Sequence, residues 1–421
     1  MPLFSSRKSS SNLKKQEQQK EPEQVCYYTV RAPWDWVMQQ VVQNDAFFKQ
    51  VASEQELVST KIQANTQVTA TPNIQHRRTT MKKGPSPCIL RLEECFVEND
   101  ALQVALHGTS AALDGLEDKD ELVRTMQRCR CEQLQMCPPS LLIKWDMSRD
   151  ELTNYLPSLP SMSKDHTMAV LKEPMGSSGE GIYFCQTIQQ VYQQMERHKN
   201  LALEDGDYLD NIMNTKGRMP AWVLQAEVYP PMLISDGCKF HIRSNIVVVE
   251  KLWTDALLQV YIHNRHEVRI AGQPVSNTED ETRNVLEHIT NSSTRRELLS
   301  NIKELAPMQS DLQMFLAKAF QAFMPDIIRR VGYSASQQQQ QQQSSIDIRK
   351  FVVAGTDIMV TESGRFYLLE VNVNPTAPAA ESCSPEFQTH LVGWMKDLVY
   401  LVLGRPSPNF LDINDISPVS E

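Results

Sequence analysis

Polar and apolar positions alternate most sharply between residues 239 and 249. Lys239, His241 and Arg243 interleave with Phe240 and Ile242, and the run 246–249 is then apolar throughout. Period-2 alternation predicts a strand whose three basic groups share one face. An apolar run from Trp222 through Gln225 and Ala226, broken at Pro230 and Pro231, predicts a second strand. Leu312, Phe315, Leu316, Ala319, Phe320 and Phe323 recur at helical spacing and predict a long helix over 309–330. The same periodicity extends the helical reading to 281–304. Residues 118–128 open another helix with Asp118 as its N-cap. Strands are expected at 351–353 and around Glu370 and Asn372.

These elements group into regions. Mixed short apolar runs between Tyr27 and Leu116, with Trp34 and Trp36 as core or interface anchors, predict an N-terminal domain over 26–118. It is interrupted by a polar, Lys/Arg-rich loop at 62–84. A central domain follows over 119–214 and a C-terminal one over 215–404. Tails at 1–25 and 405–421, the second punctuated by Pro406, Pro408 and Pro418, are expected to be disordered. Seven consecutive glutamines at 337–343 lie in a serine-flanked linker, 334–346, and read as a surface loop tolerant of expansion. The first sixteen residues are basic and serine-rich, which suits a disordered tail better than a transit peptide.

Composition narrows the class. A net charge of −9 with 22% charged residues describes a mildly acidic globular protein, not a nucleic-acid binder. No apolar run approaches the length of a membrane span. Nine cysteines at irregular spacing imply unpaired thiols in a reducing, cytoplasmic compartment. Cys129, Cys131 and Cys137 match no common zinc frame and read as half-buried thiols in a helix.

The chain holds only 15 glycines in 421 residues, about half the usual ~7%. Gly176, Gly179 and Gly181 nevertheless fall in one short loop after Lys172. A lysine at the end of an apolar run, followed by small residues whose amides can fold over phosphate oxygens, suits a triphosphate. A plain hairpin turn is the alternative. The loop has neither a P-loop ending nor a dinucleotide-binding spacing. Glu370 and Asn372, two apart in a strand, project their oxygens to one face and suit a magnesium ion. The basic strand lies in sequence order between these two motifs, although a solvated basic face would have the same pattern.

Lys172 with its glycine loop, the strand into Gln225, Lys239-x-x-x-Arg243, Arg269, His288-Ile-Thr-Asn291, Asp357 and Glu370-x-Asn372-x-x-Pro375 together resemble the ATP-grasp domain of the tubulin–tyrosine ligase-like family, over about 119–404. The resemblance implies an α/β (α+β) ATP-grasp fold and an ATP- and Mg2+-dependent ligase. Such an enzyme joins a free amino acid to a carboxylate of a protein substrate through an acyl phosphate. It further implies that Lys119 and Lys172 meet the phosphates while the 176–181 loop closes over them. Gln225, Ala226, Glu227 and Val228 would read adenine, with Lys239, His241 and Arg243 running along the nucleotide. Arg269 would steady the γ-phosphate and the incoming carboxylate, and Thr290 and Asn291 would touch ribose and phosphate. Asp357, Glu370 and Asn372 would hold magnesium, with Arg269, Lys172 and Arg243 as the catalytic cations.

The sequence departs from the family pattern at His241, where aspartate is frequent, at Ala226 and Glu227, where a basic or aromatic pair is common, and at Ser178. Three readings follow. The first is a monomeric protein-modifying ligase whose acceptor is the tubulin C-terminal tail, in the cytoplasm and on the cytoskeleton. The second is a small-molecule ligase of the same fold, and the third a nucleotide-binding pseudoenzyme. Retention of Lys172, Glu370 and Asn372 argues against the third.

Overall fold

The computed structural model describes residues 26–30, 34–44, 48–50, 88–92, 104–107, 111–164, 166–174, 181–204, 218–250, 258–275, 295–331, 347–375, 377–402 and 407–416. In chain order the N-terminal elements are β1 (Cys26–Val30), α1 (Asp35–Asn44), β2 (Phe48–Gln50), β3 (Cys88–Leu92) and β4 (Val104–His107). The middle of the chain contributes α2 (Lys119–Arg128), β5 (Ser140–Ile143), α3 (Arg149–Tyr155), β6 (Ala169–Lys172), β7 (Ile182–Cys185), α4 (Ile188–Glu204) and β8 (Trp222–Ala226). Then come β9 (Cys238–Glu250), β10 (Leu258–His263), β11 (Glu267–Pro274), β12 (Arg296–Leu298), α5 (Gln309–Val331), β13 (Asp347–Val360), β14 (Phe366–Val373), α6 (Pro385–Val402) and β15 (Phe410–Asp412).

The strands form two sheets, in the α/β class expected. The large one runs β12-β11-β9-β13-β4-β3-β1-β2, with β10 added on β9, β15 on β10 and β14 on β13. The N-terminal strands thus extend the same sheet, through a parallel pairing of β4 with β13. The small sheet runs β5-β8-β6-β7 and is antiparallel throughout.

Strand β9 shows how the sequence positions the site. Its even residues, among them Phe240, Ile242, Ile246 and Val248, are sealed against Leu312, Leu316, Phe320, Phe323 and Ile327 of α5. That apolar stripe on α5 is the one the spacing predicts. The odd residues split into two halves. Val247 and Val249 pack, with Phe351 and Val353 of β13, under α1 and α6. Lys239, His241 and Arg243 continue the same face where those helices do not reach. There the small sheet lies opposite, with its own core of Ile143, Leu171, Met195 and Trp222.

Four expectations need correction. Residues 296–298 are a strand paired with β11, not part of a helix, and 3-10 turns follow at 299–301 and 306–308. Cross-strand hydrogen bonding overrides a weak local periodicity there. The tail is ordered over 407–416, because Phe410 and Ile413 find core positions and β15 pairs with β10. Cys129 caps α2 while Cys131 and Cys137 lie beyond it, both buried, with their thiols pushed up to about 12 by desolvation. Asp118 occupies the N-cap position of α2 in extended geometry, yet its side chain makes no capping hydrogen bond. Residues 1–25, the loop 62–84 and the glutamine tract 337–343 lie outside the described residues.

Candidate active site

Residues directly opposite one another in paired strands share a sheet face. Glu370 of β14 stands opposite Asp357 of β13, Asp357 opposite Arg243 of β9, and Arg243 opposite Glu267 of β11. These four form one row across the sheet. In the next row His241 faces Arg269, and Arg269 faces Arg296 of β12. The predicted basic face therefore exists, but it is buried rather than solvated: Lys239, His241 and Arg243 are all below one-tenth exposed.

Burial of that many charges requires partners. Arg243 grips Asp357 through two hydrogen bonds, Nε to Oδ1 and Nη2 to Oδ2, the latter 2.8 Å. His241 lies 3.3 Å from Asp357, and the Asn372 amide donates to Asp357 at 3.1 Å. Burial alone would raise the Asp357 pKa, but Arg243 and His241 outweigh it and hold the carboxyl well below the usual range. Arg243 reaches Asp357 by crossing over Gly355, where an added Cβ would stand 2.6 Å from Arg243 Cδ. Lys239 bonds Glu227 at 2.7 Å, and the other Glu227 oxygen meets His166 at 2.8 Å. Lys119 Nζ lies 4.0 Å from Glu370.

Two backbone irregularities aim the acidic residues. Between Asp357 and Ile358 the pairing partner jumps from Glu370 to Leu368, so Leu369 is the extra residue of a β-bulge. As a result Leu369 and Glu370, though consecutive, both line the cleft. Past Asn372 the strand ends at Val373, and Asn374 adopts φ +49°, a conformation asparagine tolerates. The chain then turns to Pro375, whose carbonyl accepts the Trp34 indole N–H at 3.0 Å, while Trp36 donates to Pro378 at 3.2 Å. The two tryptophans thus brace the segment that follows the acidic strand.

The small sheet supplies the opposite wall. Val170, Lys172, Ile182, Phe184, Gln225, Ala226, Glu227 and Val228 face Lys239, His241, Asp357, Met359, Leu369 and Glu370 across one cavity. Desolvation lowers the Lys172 pKa to about 8, against the pull of Glu370. Gly181, at φ +70°, closes the base of the glycine loop, with its carbonyl accepting from Glu173 N at 2.7 Å. An added Cβ there would collide with the Glu173 side chain, which His198 holds. At the end of β8 the Ala226 and Glu227 amides donate to the Pro139 and Met168 carbonyls.

Of the sequence-derived residues, Lys119, Lys172, Gln225, Ala226, Glu227, Val228, Lys239, His241, Arg243, Asp357, Glu370 and Asn372 converge on this cleft. Arg269 stands at its outer edge, bonded to Glu267 at 2.9 Å. Gly176, Gly179, Thr290 and Asn291 lie outside the described residues. The sequence reading missed Met359, His166, Glu267 and Arg296. Period-2 spacing from Asp357 and from Arg269 could have found Met359 and Glu267.

No curated protein matches the chain. A model of the tubulin-tyrosine ligase family matches residues 114–399, a span that contains every described residue of the cleft. The chain belongs to the tubulin-tyrosine ligase family, whose members are ATP-dependent ligases.

Proposed function

We propose that the cleft binds Mg-ATP and that the protein joins a free amino acid to a carboxylate of a protein acceptor, the acidic C-terminal tail of tubulin. The reading rests chiefly on one observation: Asp357, His241, Glu370 and Lys172 meet in a single cleft, although they come from four strands of two sheets. The donor set suits magnesium. Among the described residues no group of three or more His, Cys, Asp or Glu is placed to hold a metal ion by itself. Two carboxylates and one amide, completed by substrate phosphates, are what Mg2+ prefers over an all-protein cage. The ion would neutralise charge on the phosphates.

In this reading Lys172, whose pKa burial brings down to about 8, still carries its proton at neutral pH, and an arriving phosphate holds it in the charged form. Met359 and Leu369 on one wall and Val170 and Ile182 on the other sandwich the base. The γ-phosphoryl group moves to an acceptor carboxylate oxygen and ADP leaves. The amine nitrogen then attacks the acyl carbon and the carbon–oxygen bond to phosphate breaks. One proton of the ammonium passes to the phosphate and one to solvent. Arg269 and Arg243 offset the charge on the moving phosphoryl group, a positioning and electrostatic role.

The test is incubation with ATP, magnesium, microtubules and labelled amino acids. Label in the tubulin band together with ADP and phosphate is the expected result. AMP and pyrophosphate as products would overturn the acyl-phosphate route, and label confined to small molecules would overturn the protein acceptor.

A further inference from the structure

A ligase of this kind must hold a third reactant, and the outer edge of the charged face carries residues that the steps above do not use. Arg296 stands directly opposite Arg269 in the antiparallel pair of β11 and β12. Like charges in that relation destabilise a sheet unless something anionic serves both. Glu267 lies against both: Arg269 Nε donates to its Oε1 at 2.9 Å, and Arg296 Nη1 lies 3.4 Å from the same oxygen. Burial pushes the Arg296 guanidinium down, Glu267 opposes this, and Arg269 and Arg243 push it further. The cationic field at Arg296 is thus continuous with that of the phosphate site. The side chains of Arg269, Glu267 and Arg296 are 12%, 11% and 19% exposed, so none of the three is sealed from solvent.

We infer that Arg296 and Glu267, beside Arg269, form the subsite for the free α-amino acid, with Arg296 on its α-carboxylate and Glu267 on its α-ammonium group. The inference rests on the ligase reading above. Two guanidiniums around one carboxylate complement a zwitterion, whose opposite charges sit on adjacent atoms of one carbon. A purely acidic peptide would meet repulsion from Glu267 at the same place. Arg296 also keeps the amino acid's own carboxylate on the far side of Arg269 from the γ-phosphate, so that the acceptor carboxylate is the one phosphorylated. Glu267 orients the amine without deprotonating it, since Arg269 and Arg296, against the effect of burial, hold it below the ordinary carboxylate range.

The experiment is thermal denaturation of the full-length protein loaded with Mg-ADP, titrated with an equimolar mixture of the twenty L-amino acids or with the corresponding α-carboxamides. The amino acids should raise the melting temperature and the carboxamides should not. Arg296→Gln should need about tenfold more of the mixture, or more, for half the shift, because it loses a charge-assisted contact. Arg296→Lys should recover part of it, and stabilisation by Mg-ADP should be the same in all three proteins. Equal effects of acids and carboxamides, or an unchanged midpoint in Arg296→Gln, would overturn the assignment. So would a parallel titration with polyglutamate in which Arg296→Gln loses its response to that peptide while keeping its response to the amino acids, which would make Arg296 a contact for the acceptor tail. Failure of Mg-ADP to stabilise the wild-type protein would remove the nucleotide reading itself and this subsite with it. If Arg296→Gln does not fold, the midpoint of Arg296→Lys decides.

Discussion

Two regions of this molecule gather opposite charges from distant parts of the chain, and the cleft described above borders one of them. Between α2 and α5, Asp326 is shared by Arg128, Arg329 and Arg330, and Arg330 also reaches Glu121 at 3.1 Å. Arg128 is 41% and Arg329 62% exposed, so water screens the outer part of this network, while Asp326 itself, at 6%, and Arg330, at 13%, are buried. On the sheet face, by contrast, Arg243 is 8%, Asp357 5%, Lys239 6% and Glu227 4% exposed. The exposed pairs of the first network, those of Arg128 and Arg329, fasten two helices at little cost and little gain. Those of the second kind carry a desolvation penalty that their mutual attraction barely offsets, so stability alone does not explain them. The lesson is that a charge cluster reads as a site when burial and an adjoining cavity coincide, not when ion pairs are merely numerous.

Removing one charge from each region should break the comparison most visibly. Asp357→Asn leaves Arg243 buried without its bidentate partner. It should cost about 3–5 kcal/mol of stability and abolish turnover, as read by urea denaturation and ADP release. A loss under about 1 kcal/mol would show the pair to be as dispensable as a surface one.

A subtler break leaves every charge in place. Gly355→Ala puts a methyl group against Arg243 Cδ and should lift the guanidinium off Asp357. The expected cost is about 1–3 kcal/mol, as for other overpacked cores, with a larger fall in kcat than in ATP affinity. Unchanged kcat would mean that Arg243 need not lie across Gly355.

Acid sharpens the contrast at two buried histidines near the charged row. Desolvation, with neighbouring imidazoles, lowers His266 to about 3 and His390 to about 4. His266 Nδ1 lies 2.9 Å from Ser244 Oγ, one residue from Arg243. Both folded-state values fall below the ordinary 6.5. Between pH 6.5 and 4 the unfolded chain therefore binds protons that the native one refuses, and stability should fall as pH drops, by up to about 1.4 kcal/mol per pH unit for each histidine. Melting temperatures at stepped pH would show this, and His390→Gln should flatten the slope. A flat wild-type profile over that window would contradict the burial of neutral imidazoles.

The smallest effect is expected from the helix network. Arg128→Gln, which removes one exposed partner of Asp326, should cost about 1 kcal/mol or less and leave nucleotide affinity unchanged in calorimetry. A loss of affinity would mean that α2, which carries Lys119, depends on this network for its position.

How much of this could be read from the sequence follows the same divide. The alternation at 239–243 was legible because β9 is regular, and Glu370 and Asn372 could be placed on one face because no irregularity lies between them. The bulge at Leu369 was not, since it depends on the pairing with β13 and leaves no trace in local composition. Arg296 was hidden because residues 281–304 carry helical spacing, while the strand is made by hydrogen bonds to β11. The alternation also could not tell a buried basic face from a solvated one. That depends on the small sheet lying opposite, a long-range fact with no signature within β9 itself.

Titrating ATP into the protein by calorimetry, with and without magnesium and beside GTP, tests the central claim most directly. The account predicts saturable binding of ATP that needs magnesium, because Asp357, Glu370 and Asn372 complete a metal site only with phosphates. It also predicts much weaker binding of GTP, and of ATP by Lys172→Ala. Binding indifferent to magnesium, or equal affinity for GTP, would contradict it.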